Sequence, residues 1–283
     1  MSDQSSEQAS NEKQSVPGIR HIIPVASGKG GVGKSTTTLH IALALKQLGY
    51  GVGLLDADIY GPSQPTMLGI EDSLKPEIID GKFFLPVEKY GLETISMGYL
   101  VTEKTPMVWR GPMVSGALMQ MLNQTRWSEL DFLLIDMPPG TGDIQLTLAQ
   151  QIPCTGAVIV TMPQTVAVLD AQKGIEMFKK VSIPCLGVIE NMSTHICSQC
   201  GHADPIFGEG GGDSVASDYQ VPFLGRLPLD TRICAGVDQG KPLLITDPES
   251  EISNIYLTIA KALAESTAQT NAKSVPTISI SDD

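Results

Sequence analysis

Basic residues are scarce: 19 Lys and Arg stand against 31 Asp and Glu, for a formal charge of −12. Such a chain has no overall attraction to a phosphate backbone or an anionic bilayer, which argues against nucleic acid or membrane as its main partner. Long apolar runs are missing too. The longest, such as residues 156–160 and 132–135, have strand length, far short of the ~20 residues of a membrane-spanning helix. The N-terminal MSDQSSEQASNEKQS holds no apolar segment of signal-peptide type. Cysteine is sparse, with five at positions 154, 185, 197, 200 and 234. Their odd number and irregular spacing exclude a disulfide framework and point to reducing cytoplasm. Aromatic residues make up only 5%, yet the hydrophobic content of 42% suffices for a full core, so wholesale disorder is excluded.

At about 150 residues per domain, the length fits one large domain or two small ones. Residues 1–17 and 266–283 are polar and read as disordered, solvated tails, the second ending on two aspartates. No linker or internal repeat divides residues 18–265, which read as one domain. Within it, strands are expected at 21–26, 53–56, 93–97, 132–136, 157–161, 185–190 and 222–225. Helices are expected at 35–48, 114–122, 166–181 and 252–263, the last with Ile252, Ile255, Tyr256, Ile259 and Leu263 along one stripe. FLLID and AVIVT lack polar alternation, as parallel strands covered on both faces do. The expected fold is α/β, a doubly wound, mostly parallel sheet flanked by helices. Its ligand belongs at the carboxyl ends of the strands.

Residues 28–35, GKGGVGKS, fit the phosphate-loop pattern G-x-x-x-x-G-K-S/T between an expected strand and an expected helix. Gly28, Gly30, Gly31 and Gly33 let the backbone curl through Lys29 and Val32, so that N–H groups point at phosphate oxygens. The helix that follows adds its positive end. The Lys34 ammonium can reach β and γ phosphates, the Ser35 hydroxyl is placed for Mg²⁺, and Thr36 completes the nucleotide-binding stretch. Two acidic segments join it. DADIYGPSQP supplies Asp56 and Asp58 at one strand end, and FLLIDMPPGTGD ends a strand at Asp136, the place of a Walker B carboxylate that supports Mg²⁺ through water. Asp58 is the candidate to orient the attacking water; a turn cap is its alternative role.

With Lys29 ahead of Lys34, KGGVGKST resembles the deviant Walker A loop of the MinD/ParA group of dimeric ATPases, which includes nitrogenase iron protein. DADIYGPSQPTMLG, VWRGPM at 108–113, DFLLIDMPPGTGD, and IENMS followed by C-x-x-C and FGEGGG are together similar to the Mrp/ApbC family of iron–sulfur cluster carriers, over about residues 18–245. The resemblance implies a P-loop NTPase fold of the MinD/ParA/nitrogenase iron protein type. It implies a homodimeric ATPase that passes a [4Fe–4S] cluster from an assembly scaffold to apo-proteins. Lys29 would then reach the partner copy's phosphates, Asn191 would stand at the adenine edge, and Cys197 with Cys200 would hold the cluster. The implied cofactors are ATP, Mg²⁺ and [4Fe–4S]. Many bacterial members carry a small extra domain where this chain has the 1–17 segment.

Cys197-Ser198-Gln199-Cys200 offers two thiolates, whereas a zinc ion or a cubane cluster wants four. Two copies meeting about a twofold axis supply them from one loop each. Zinc shared between chains has the same ligand arithmetic, and a redox pair or incidental thiols are further alternatives. His195 and His202 read as bystanders, and Cys154, Cys185 and Cys234 as small buried hydrophobes. Met97, Met107, Met113, Met119 and Met121 read as core or adaptable interface. Trp109 and Arg110 suit a partner surface or a structural role, and residues 208–212 a hinge or close-approach loop. A spatial-organising switch with zinc at the pair is the competing class. The acidic charge and the PTISISDD end disfavour its membrane or DNA association. An ATP-dependent reductase is disfavoured by the close pair, because nitrogenase iron protein places its cluster cysteines singly.

Overall fold

The computed structural model describes residues 15–71, 73–99, 111–197 and 199–274. Strand β1 (Ile19–Ala26) leads through the glycine loop into α1 (Lys34–Gln47), followed by β2 (Val52–Asp56) and the short α2 (Gln64–Met67). Short strands β3 (Ile78–Ile79), β4 (Phe83–Phe84) and β5 (Val87–Lys89) precede β6 (Leu92–Ser96). Then come α3 (Gly111–Gln124), β7 (Leu130–Asp136), α4 (Asp143–Gln151), β8 (Ala157–Thr161), α5 (Thr165–Lys180) and β9 (Cys185–Glu190). The small hairpin β10 (His195–Ile196) and β11 (Ala203–Asp204) is followed by α6 (Gly211–Tyr219), β12 (Phe223–Arg226), α7 (Thr231–Asp238), α8 (Leu243–Thr246) and α9 (Glu251–Ser274).

Eight strands form one sheet in the order β12-β9-β8-β1-β7-β2-β6-β5. Every neighbouring pair is parallel except the edge strand β5, which runs antiparallel to β6. The unbroken apolar runs are the central strands: Leu133, Leu134 and Ile135 on β7 and Ile159 on β8 are wholly buried. Register places Asp56 of β2 beside Asp136 of β7, so two carboxylates meet at the carboxyl end of the sheet. Helix α1 is buried from Thr37 to Leu45, because it lies between the sheet and α9. There His40 stacks on Tyr256 with ring centroids 4.7 Å apart.

Some expectations are corrected. Val16, placed in the N-terminal tail, is buried, and its carbonyl accepts from Ile19 N at 3.3 Å. Helix α9 continues to Ser274, well into the stretch expected to be a solvated tail. Its hydroxyls are satisfied by backbone carbonyls: Ser266 Oγ donates to Leu186 O of β9, and the buried Thr267 Oγ1 to Leu263 O of its own helix, both at 2.7 Å. Cys234 is exposed, because helix rotation on α7 turns Ile233 inward instead; Cys154 and Cys185 are half-buried. Met97 and Met121 lie in the core and Met113 is exposed, whereas Met107, Trp109 and Arg110 lie outside the described residues.

Candidate functional site

The glycine loop crosses from β1 to α1 at the carboxyl end of the sheet. Two of its glycines are required by geometry. Gly33 caps α1 in the left-handed region at φ +80°, and a Cβ there would sit 2.2 Å from Asn191 Nδ2. A Cβ on Gly28 would sit 2.0 Å from the Asp170 carbonyl oxygen of α5. Val32 is buried, Gly30 and Gly31 are exposed, and Lys29 is half-exposed. Ser27 Oγ donates to Lys29 O at 2.9 Å, holding the turn from below.

Lys34 is buried, and its ammonium makes an ion pair with Asp136 Oδ1 while donating to Ser35 Oγ at 3.0 Å. Thr38 Oγ1 donates to the same Asp136 oxygen at 3.3 Å. The other oxygen, Oδ2, accepts from Gln64 Nε2 at 2.9 Å. The lysine and the carboxylate that the sequence assigned to phosphate and Mg²⁺ are therefore together, neutralising each other away from water. Thr36 Oγ1 donates to Met67 Sδ on α2 at 3.7 Å.

Asp56 lies beside Asp136, as the sequence placed it, and its oxygens are taken up by backbone N–H groups and Ser96. It organises the loop after β2, accepting from Asp58 N (3.1 Å), Ser63 N (3.0 Å), Gln64 N (3.1 Å) and Ser96 Oγ (3.1 Å). Burial, and then the charge of Asp136, pushes its carboxyl up to about 7 against the pull of these bonds and of Lys34. Asp58 is also raised by burial, with Lys34 holding it down. Its Oδ1 accepts from Tyr60 N at 3.2 Å and Gly61 N at 3.3 Å. It thus caps its own turn while lying beside Lys34 and Asp136. Asn191, at the end of β9, donates from Nδ2 to Val32 O at 2.9 Å and so braces the glycine loop.

Cys197 and Cys200 lie in the turn of the β10–β11 hairpin, reached directly from Asn191 along the chain. Cys197 N donates to His202 O at 2.9 Å, and Gly201 N to Cys197 O at 2.8 Å. Both thiols are free, Cys200 being exposed. The backbone N–H groups of Gln199 and then Cys200 lower the Cys197 thiol below its usual range, favouring the thiolate. His195 turns Nδ1 to Leu229 O at 3.1 Å. Among the described residues no three His, Cys, Asp or Glu side chains gather as a metal site within one chain. The 208–212 segment is a close approach, with Gly212 N donating to Glu190 Oε2 at 2.7 Å.

Sequence reasoning missed Gln64, which joins Ser35 O (3.0 Å) to Asp136. A single glutamine in a Gly- and Pro-containing loop carries no periodic signal, and only its place between two site segments hinted at it.

Curled backbone amides, the start of a long helix and a buried ammonium make an anion site of the P-loop class. The family described as ParA, NUBPL iron-transfer P-loop NTPase, matches residues 18–264. The iron-sulfur cluster carrier protein of Pseudomonas fragi is 59% identical, over 87% of this chain and 86% of its own. The iron-sulfur cluster transfer protein NUBPL of Dictyostelium discoideum is 45% identical, over 89% and 78%. Among solved structures, an Archaeoglobus fulgidus nucleotide-binding protein in complex with ADP superposes with TM-score 0.72 at 34% identity, covering 84% of this chain and 93% of that one. MinD of Pyrococcus horikoshii shares the fold at TM-score 0.63 and 22% identity, over 89% and 98%. The chain belongs to the NUBPL iron-transfer family of P-loop NTPases.

Proposed function

We propose that this chain is an ATP-hydrolysing homodimer that carries a [4Fe–4S] cluster between the Cys197 and Cys200 pairs of its two copies and delivers it to apo-proteins. The carrying observation is the exposed cysteine hairpin, which presents two thiols where one chain gathers no further ligands among its described residues. Four thiolates about a twofold axis complete a cluster site, and exposure leaves the cargo accessible to an acceptor. Family membership supports this reading, because the related carriers are named for iron–sulfur cluster transfer. The dimer face belongs at the carboxyl end of the sheet. The exposed Tyr60 follows β2 and the exposed Val166 and Leu169 lie on α5 after β8, strands that lie on opposite sides of β1 in the sheet order.

On ATP binding, Lys34 exchanges Asp136 for the β and γ phosphates, while the glycine-loop amides hold the remaining oxygens. The residues fit Mg²⁺: a hydroxyl on Ser35, a carboxylate on Asp136, and the buried, unpartnered Gln64 Oε1 beside them. When bound, the ion neutralises phosphate charge as it develops. Asp58 orients the attacking water, and Lys29 reaches the partner copy's phosphates. Asn191 keeps Val32 in place through Nδ2 and offers Oδ1 to the adenine edge. No described helix is long and apolar enough to cross a membrane, and the acidic charge fits a cytoplasmic carrier whose partners are apo-proteins and a cluster scaffold.

Anaerobic reconstitution with iron and sulfide tests the reading, with zinc measured alongside. About four irons and four sulfides per dimer, lost in Cys197→Ala/Cys200→Ala, is the expected result. Zinc alone, or no metal in either protein, overturns the carrier reading.

A further inference from the structure

Gln64 is 1% exposed and stands at the first residue of α2. Its main-chain N–H is spent on Asp56 Oδ2 at 3.1 Å. Its side-chain Nε2 donates to two acceptors from different elements, Ser35 O at 3.0 Å and Asp136 Oδ2 at 2.9 Å. Because both partners are acceptors, the amide orientation is fixed: the flipped form would set oxygen against oxygen twice. Oε1 is therefore left buried without a partner. Burying a carbonyl in that condition is costly, and folds seldom retain one that nothing satisfies.

We infer that Gln64 is the positioning residue of the Mg²⁺ site: one amide fixes Ser35 and Asp136 relative to each other and supplies Oε1 as an acceptor for a water of the hydrated ion. The inference rests on the nucleotide and Mg²⁺ reading given above. Lys34 and Thr38 both bind Asp136 Oδ1, whereas Oδ2 is held by Gln64. When Lys34 moves to phosphate, Oδ1 keeps only the longer Thr38 contact, and Gln64 keeps the carboxylate from rotating to fill the gap. The glutamine also ties this geometry to the Asp56–Gln64 loop, so Asp58 and the Mg²⁺ side share one anchor.

Removing an outer partner of a metal ligand lowers metal affinity by roughly 10–100-fold. The test is calorimetry of ADP binding with Mg²⁺ and with EDTA, for the full chain and for Gln64→Met, which keeps length but loses both polar atoms. The Mg²⁺ enhancement of ADP affinity should fall by at least about tenfold in the variant, while the EDTA affinity stays within about threefold. A merely structural role would lower both affinities together, and that outcome overturns the assignment, as does an enhancement equal to the parent's. If the parent itself shows no enhancement, the Mg²⁺ reading falls and the assignment falls with it. Gln64→Asn, whose shorter amide cannot span both acceptors, gives the same reading should Gln64→Met fail to fold.

Discussion

His40 makes the stability of this protein depend on pH. Its ring is wholly buried on α1, Nδ1 donates to Thr36 O at 2.8 Å, and Nε2 has no partner. Protonating Nε2 would place a charge where nothing accepts its hydrogen, and burial lowers the pKa from 6.5 to about 4. The folded state therefore binds fewer protons than the unfolded chain between these values. Stability is fully present above pH 6.5, is lost as pH falls toward about 4, and changes no further below that. A shift of that size is on the order of 3 kcal/mol in the limit, of which about 2 kcal/mol is lost between pH 7.5 and pH 5.0. Urea unfolding at those two pH values, for the parent and for His40→Leu, isolates the contribution. The parent should lose about 2 kcal/mol more than the variant across the interval. Equal losses, within about 0.5 kcal/mol, would refute the reasoning, as would a folded-state imidazole titrating near 6.5 by NMR.

Two further outcomes follow from the phosphate-loop geometry. Asp58→Asn keeps an Oδ1 to accept from Tyr60 N and Gly61 N, so the loop and MgATP affinity should persist while single-turnover hydrolysis falls by roughly 10²–10⁴-fold. Unchanged hydrolysis would return Asp58 to a capping role. Gly33→Ala should abolish measurable nucleotide binding, because its φ of +80° and the 2.2 Å approach to Asn191 are both incompatible with a Cβ. Adding Asn191→Ala should restore part of the stability lost, a non-additive result that two independent lesions would not give.

The sheet was legible because its strands are buried on both faces, which leaves uninterrupted runs such as FLLID and AVIVT. The glycine loop was legible because backbone curling demands glycine at fixed spacing. Smaller pieces escaped for physical reasons. Strands such as β10 and β11 are two residues each, too short for any alternation to show. The end of α9 reads as polar tail, yet Ser266 and Thr267 spend their hydroxyls on backbone carbonyls and so tolerate packing. Asp56 and Asp58 look equivalent in DADIYG, and only the register with β7 and the direction of the loop separate an organiser of the loop from the candidate to orient water. Gln64 acts through contacts distant in sequence, with Ser35 and Asp136, and no local pattern encodes those.

The bond from Asn191 to Val32 O has a mechanical consequence. Asn191 and Cys197 are separated by at most roughly 20 Å of extended chain, at about 3.4 Å per residue. That stretch is not slack: Ser193 N and Oγ both donate to Leu227 O at 3.0 Å, and Leu229 N donates to Thr194 O at 2.9 Å. Val32 lies in the turn that must cradle phosphate. If that turn shifts, Asn191 either gives up its partner or follows it, and in the second case the strain falls on the Ser193 and Thr194 bonds that precede the hairpin. One run of chain thus joins the brace on the glycine loop at Asn191 to the cysteine hairpin, tied on its way to Leu227 and Leu229.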